Sequence, residues 1–275
     1  MSKPVAVITG ASSGIGLVFA RRLARDHDLV LVARRRERLE QAAAELAALG
    51  AKVEVLQADL SVDAELALVA ERIAGEPNLA MLVNNAGFGA GGYLWETSLA
   101  VQEEMHRLHV MATLRLSHAA LTNMVAREAA SGPLGVDGLG AGIINVASVA
   151  AFLARAGSVS YGSTKAWMAM FTEGLAMDLR AAGSRLRVQA LCPGFTYSEF
   201  HAVMGVDGSK VAGKAFWMTA EQVVDASLAG FAQGKVFVVP GWRYQAIVAL
   251  IPRLPAGMRM ALLSATTKRL GRNGT

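Results

Sequence analysis

Cysteine is nearly missing from this chain: Cys192 is its single representative in 275 residues. An internal disulfide is thereby excluded, and the composition suits a reducing cytoplasm, where the protein is expected to reside. No uncharged apolar run reaches the 18 residues that a membrane-spanning helix needs. At the N-terminus Lys3-Pro4 leads straight into Val5-Ala6-Val7-Ile8, without the apolar h-region and cleavage site of a secretory signal. Acidic residues stop at Asp225, whereas seven basic ones (Lys235, Arg243, Arg253, Arg259, Lys268, Arg269 and Arg272) follow it. The net charge of +5 therefore lies wholly in Ala226–Thr275, since the first 225 residues hold 20 basic against 22 acidic side chains. So modest and local an excess implies no nucleic-acid partner, and no metal site is expected. No internal repeat, heptad run or long linker divides the sequence.

What the chain does contain is an alternation of short apolar runs and amphipathic stretches. Strands are expected at Val5–Thr9, Leu29–Ala33, Lys52–Gln57, Leu79–Val83, Gly142–Ala147, Arg187–Leu191 and Val236–Val239. Helical patterns occupy Gly14–Arg25, Arg35–Leu49, Val62–Ala74, Val101–Glu128, Val159–Ala181 and Ala220–Phe231. Uniformly apolar strands alternating with helices predict an α/β fold: one doubly wound, Rossmann-type domain of about seven parallel strands with helices on both faces. It would span residues 1–241, with a variable substrate loop at about 195–219, followed by a basic, apolar helical extension at 242–275. The Gly-rich piece Ser131–Gly142 is expected to be a surface loop.

The turn after the first strand reads Thr9-Gly10-Ala11-Ser12-Ser13-Gly14-Ile15-Gly16. Glycines between a strand and a helix start let backbone N–H groups approach a pyrophosphate at the positive end of the helix. The spacing G-x-x-x-G-x-G differs from the commoner dinucleotide fingerprint, and the glycines could serve only close packing. The end of the second strand discriminates between nucleotides. A ribose with a free 2′-hydroxyl is typically held there by Asp or Glu, whereas a 2′-phosphate needs cations. The sequence offers Arg34-Arg35-Arg36 with no acid before Glu37, where cations at a helix N-terminus would be unfavourable without a local anion. NADP(H) is therefore expected over NAD(H), gripped by Arg34 with help from Arg35 or Arg36.

Tyr161 and Lys165 stand one helical turn apart, and Ser148 precedes Tyr161 by thirteen residues, at the end of the fifth strand. A lysine ammonium beside a phenol is expected to lower the tyrosine pKa from about 10 and make it a general acid or base. The Ser148 hydroxyl could hydrogen-bond a carbonyl oxygen that gains negative charge.

These motifs, with Asn84-Asn85-Ala86-Gly87 and Pro193-Gly194, resemble the short-chain dehydrogenase/reductase family from about residue 4 to 200. The resemblance implies that Gly10, Ser12, Ser13 and Ile15 line the pyrophosphate, that Asp59 and Leu60 flank the adenine, and that Asn85, Ala86 and Gly87 lie under its ribose. Tyr161 and Lys165 would meet the nicotinamide ribose, and the segment from Pro193 and Gly194 through Thr196 and Ser198 the carboxamide. It further implies hydride transfer between the nicotinamide and a carbonyl carbon or the alcohol derived from it, with Tyr161 exchanging the proton, and a homodimer or homotetramer paired through helices 101–128 and 159–181. The sequence departs from the family at His109, which takes the place of an asparagine thought to hold a water linking the lysine to solvent. Histidine can also hold a water and titrates near neutral pH, though it could equally be a core residue satisfied by a carbonyl.

The substrate loop carries Phe200, Val203, Met204, Val206, Val211, Phe216, Trp217 and Met218, and Phe88–Tyr93 adds a second wall, which suits an apolar or lipid-like carbonyl compound. Alternatives are an NADP(H)-binding sensor with little catalysis, or a reductase held at a membrane surface by Trp242–Ile251 and Pro255–Leu270. Those tail segments could equally cover the domain or build a subunit interface, with arginines snorkelling outward.

Overall fold

The computed structural model describes residues 3–197 and 213–271. Seven strands form one parallel sheet: β1 (Val5–Thr9), β2 (Asp28–Ala33), β3 (Val53–Gln57), β4 (Leu79–Asn84), β5 (Gly142–Val146), β6 (Arg187–Leu191) and β7 (Phe237–Val238). They lie in the order β3-β2-β1-β4-β5-β6-β7, and every pairing is parallel. Each parallel crossover requires a helix, which accounts for the alternation in the sequence.

The helices are α1 (Gly14–Leu23), α2 (Arg36–Ala47), α3 (Asp63–Ala74), α4 (Leu99–His106), α5 (Thr113–Ser131), α6 (Val159–Ala181), α7 (Ala220–Ala232), α8 (Trp242–Leu250) and α9 (Ala256–Gly271). The expected rod 101–128 is two helices joined by a π-helical turn, Arg107–Ala112.

Strand residues divide between the two faces with the period of two that a pleated backbone imposes. Ala6 and Ile8 of β1, Leu29 and Leu31 of β2, and Met81 and Val83 of β4 face α1, α2 and α7, against Phe19, Leu39 and Phe231. Val5, Val7, Val30, Val32 and Leu82 point the other way, against Val69 and Ile73 of α3 and Leu116 and Met124 of α5. Burying both faces explains why the central strands read as continuous apolar runs. Edge strand β3 instead exposes Glu54, which pairs with Arg72 of α3 at 2.8 Å.

A buried polar chain fixes α6 against the sheet. Asn84 donates to Ser117 Oγ of α5 at 3.1 Å and to Asn145 Oδ1 of β5 at 2.8 Å. Asn145 donates in turn to Thr172 Oγ1 of α6 at 2.9 Å. In a dry interior an unmet partner in such a chain is costly, so the chain sets the register of α6 and of Tyr161 and Lys165 on it. No helix among the described residues is long and apolar enough to cross a membrane.

Candidate active site

Because all strands are parallel, the segments that follow them gather at one edge of the sheet, and ligands of such folds bind there, where the strand order reverses between β1 and β4. Gly10 follows β1, Arg34 and Arg35 follow β2, Asp59 and Leu60 β3, Asn85–Gly87 β4, Ser148 β5, and Pro193 and Gly194 β6. The topology thus gathers these segments at one edge of the sheet.

At the reversal point Thr9 Oγ1 donates to the Val83 carbonyl at 3.2 Å and accepts from the N–H groups of Asn85 and Ala86 at 2.9 and 3.0 Å. Asn85 Nδ2 donates to the carbonyls of Thr9 and Gly10, at 2.9 and 3.2 Å. The Asn85 amide is therefore committed to bracing the glycine turn, and Ala86 packs on the core beside it. Gly10 has φ of 65°, and a Cβ at Gly16 would lie 2.4 Å from the Gly10 carbonyl oxygen, so both positions require glycine.

The α1 N-terminus has no acid in its first turn, and Ser13 provides no side-chain cap. Arg35, rather than Arg34, lies over this turn: its Nη2 donates to Ser12 Oγ and Ser13 Oγ, each at 2.9 Å. Arg34 turns the other way, 3.4 Å from Glu104 and 3.6 Å from Asp59, and Arg36 pairs with Glu40 on its own helix. Arg34, expected to grip a 2′-phosphate, thus sits beside two carboxylates, while Arg35 is the arginine nearest the glycine turn. Asp59 also accepts from Ser61 N and Oγ at 2.9 and 2.7 Å. Ile15 packs against the core, and the Leu60 side chain is buried in it, which leaves only the Leu60 backbone to face a ligand. An uncapped helix end, two serine hydroxyls and a guanidinium form a donor set that fits a phosphorylated nucleotide.

Ser148 caps the short 3-10 turn Val149–Ala151: its Oγ accepts from Ala150 N at 3.1 Å and shares a hydrogen bond with the Tyr161 phenol. Lys165, only 5% exposed, donates from Nζ to the Val146 carbonyl at 2.8 Å and sits 5.8 Å from the Tyr161 ring centroid. The expected lowering of the tyrosine pKa is not what this arrangement produces. Desolvation outweighs the neighbours for both groups, pushing Tyr161 up to about 12 and Lys165 down to about 7. The phenol is accordingly held protonated.

His109 lies on the π turn, fully buried, with its ring 5.8 Å from that of Tyr161 and 6.4 Å from that of Phe88. Its Nδ1 is 2.9 Å from Thr164 Oγ1, and Thr164 spends its own proton on the Tyr161 carbonyl at 2.8 Å. The threonine must then accept from His109, which puts the imidazole proton on Nδ1 and leaves Nε2 a bare acceptor. Nε2 makes no hydrogen bond among the described residues and faces Gly87, where a Cβ would come within 2.6 Å. Burial, with Lys165 and His106 nearby, holds His109 well below its ordinary value. It is neutral near pH 7, contrary to the expected titration there.

The Pro193 carbonyl accepts from Val149 N at 3.0 Å and lies 3.5 Å from Ser148 Oγ, which ties the segment after β6 to the serine. Thr196 is buried, with its hydroxyl donating to the Gly194 carbonyl at 3.1 Å. Ser198, Phe200, Val203, Met204, Val206 and Val211 lie outside the described residues. Cys192 is wholly buried with Ala147, Met168 and Ala190, and burial pushes its thiol up to about 12. Among the described residues no cluster of His, Cys, Asp or Glu could hold a metal. Sequence reasoning did not single out Thr164 as the partner of His109, nor the contacts of Asn145 and Tyr244, which come from distant parts of the chain.

Residues 4–205 match the family described as short chain dehydrogenase. The chain belongs to that family. A short-chain dehydrogenase is an oxidoreductase that acts on alcohol or carbonyl substrates with a nicotinamide cofactor. The chain is 33% identical over 226 residues to 1-deoxy-11-beta-hydroxypentalenate dehydrogenase of Streptomyces exfoliatus, covering 79% of this chain and 76% of that one. Its structure resembles a short-chain dehydrogenase from Sphingobium yanoikuyae in complex with NADPH, with a TM-score of 0.77, 32% identity and coverage of 94% and 95% of the two chains. It also resembles the bulky-bulky ketone specific alcohol dehydrogenase of Comamonas testosteroni, with a TM-score of 0.73, 30% identity and coverage of 93% and 96%.

Proposed function

We propose that the protein is an NADP(H)-dependent reductase of apolar ketones or aldehydes, working also in the reverse sense, with Tyr161 as the general acid or base. The observation that carries this reading is the Ser148–Tyr161 hydrogen bond, with Lys165 one turn along the same helix. The nicotinamide, when bound, supplies or accepts the hydride. Ser148 and Tyr161 hold the substrate oxygen, and the phenol, kept protonated by its surroundings, gives its proton to that oxygen as charge develops. For oxidation Tyr161 must first ionise, which requires Lys165 to carry its charge.

NADP(H) is favoured over NAD(H) by Arg35 on the serines of the glycine turn, with Arg34 beside Asp59. An apolar substrate fits the aromatic surfaces of Phe88, Phe195, Tyr197 and Trp217, and the similarity to a bulky-ketone alcohol dehydrogenase points the same way. His109, through Nε2, is assigned the place of the family's water-holding asparagine. A cytoplasmic, homo-oligomeric enzyme completes the reading. The deciding experiment replaces Tyr161 by Phe and follows NADPH oxidation with aliphatic, aromatic and steroid ketones. Loss of the proton donor is expected to lower turnover by about a hundredfold or more. Undiminished turnover would remove Tyr161 from this role.

A further inference from the structure

Two limbs of chain leave the site on either side of the substrate loop, and they meet at a narrow neck. Thr196 bridges Met218 in parallel register, Met218 N donates to the Phe195 carbonyl at 3.0 Å, and Tyr197 N to the Met218 carbonyl at 2.9 Å. The Trp217 ring stacks on Phe195 at 5.4 Å and on Tyr197 at 4.8 Å.

Beneath the neck lies a residue from neither limb. Tyr244 of α8 is 6% exposed, and its hydroxyl accepts from Phe195 N at 2.9 Å while donating to the Phe216 carbonyl at 2.7 Å. One hydroxyl thus holds both limbs, using its proton on one and a lone pair on the other. The ring lies flush against Gly194: a Cβ there would fall 2.0 Å from Tyr244 Cζ. Gly194 does not have the positive φ of Gly10, so its glycine is demanded by this ring and not by a turn. Immediately before it, the Pro193 carbonyl receives Val149 N and approaches Ser148.

We infer that Tyr244 is a positioning residue: it fixes segment 194–196 relative to Ser148, and so sets the wall on which the nicotinamide is aligned with the substrate oxygen. The inference rests on the proposed function for the identity of that ring. A hydroxyl lost here leaves an amide N–H and a carbonyl without their partner, and the segment relaxes by the fraction of an ångström that hydride-transfer geometry does not tolerate.

The test compares Tyr244→Phe with the parent, measuring kcat for a ketone, the NADPH dissociation constant and the emission of bound NADPH. The expected result is a fall in kcat of about tenfold or more with the dissociation constant changed less than about threefold, because the phosphates are gripped elsewhere. A purely structural role would lower thermal stability and leave kcat of the folded enzyme alone. As an independent measure, Gly194→Ala alone is expected to impair the enzyme severely, and far less in a Tyr244→Ala background, where the added methyl has room. Parent-like kcat in Tyr244→Phe, or additive losses in the pair, overturns the inference while the proposed function stands. If the parent reduces no ketone, the proposed function fails, and bound-NADPH emission unchanged in Tyr244→Phe overturns the positioning role as well. Absence of NADPH binding by the parent sinks both.

Discussion

Arg34 and Arg35 are adjacent in sequence and point to different tasks in space. Arg35 spans Ser12 and Ser13 over the α1 N-terminus, whereas Arg34 is largely solvent-facing between Asp59 and Glu104. A guanidinium bonded to a phosphate is worth about 1.5–3 kcal/mol, so Arg35→Ala is expected to raise the KM for NADPH by about tenfold or more and leave that for NADH nearly unchanged. Arg34→Ala should have the smaller effect, and steady-state kinetics with both nucleotides reads the difference. The sequence showed that a cation cluster follows β2 but not which member faces the turn, since that depends on carboxylates 25 and 70 positions away from Arg34. A second residue contributes to the loss of stability in mild acid. His27 is fully buried between α1 and β2, and burial lowers its pKa despite Asp26 and Asp28 beside it. Below its unfolded value of about 6.5 the denatured chain takes a proton that the native chain resists, so stability falls as pH drops through that value. Unfolding free energies of the parent from urea titration should therefore fall between pH 7 and pH 5 more steeply than those of His27→Leu, by up to about 1.4 kcal/mol per pH unit.

Seven strands were legible as apolar runs and seven helices as six amphipathic stretches, because both faces of a parallel sheet must be buried. The π turn at Arg107–Ala112 was not, since one extra residue per turn leaves no mark in a hydrophobic pattern. Yet that turn places His109 beneath Tyr161 and Gly87, and π-bulges inside helices recur at functional sites. With its proton on Nδ1, His109 offers the site a neutral acceptor. His109→Asn should retain turnover, whereas His109→Ala should lower kcat about tenfold or more with NADPH affinity little changed. Parent rates in both variants from pH 5 to 9 would reduce His109 to packing. The three-residue linkage from Asn84 through Asn145 to Thr172 was equally hidden, because a polar residue in an apolar strand reads locally as a blemish. Its purpose is visible only when β4, β5 and α6 are neighbours.

At the scale of the whole molecule, some of the exposed apolar side chains fall on the helices expected to pair. Met111 of the π turn and Leu114 and Val125 of α5 are exposed, and Met170 and Met177, one heptad apart on α6, are 70% and 69% exposed. Two Met→Glu changes at 170 and 177 are expected to convert a dimer or tetramer into monomer by light scattering, without loss of fold; a parent already monomeric at micromolar concentration refutes the assembly. The tail presents Met258, Met260 and Leu262 outward from α9, so these residues do not cover the domain. The one thiol in the chain lies where the sheet, α6 and the segment leading to Gly194 converge, with its side chain sealed from water. An alkylating reagent reaches it only while that junction is open and the thiolate forms. Cys192 is thus a stopwatch already wound into the parent protein: the rate at which it is labelled times the opening of that junction, with no probe to be introduced and no second thiol to blur the reading.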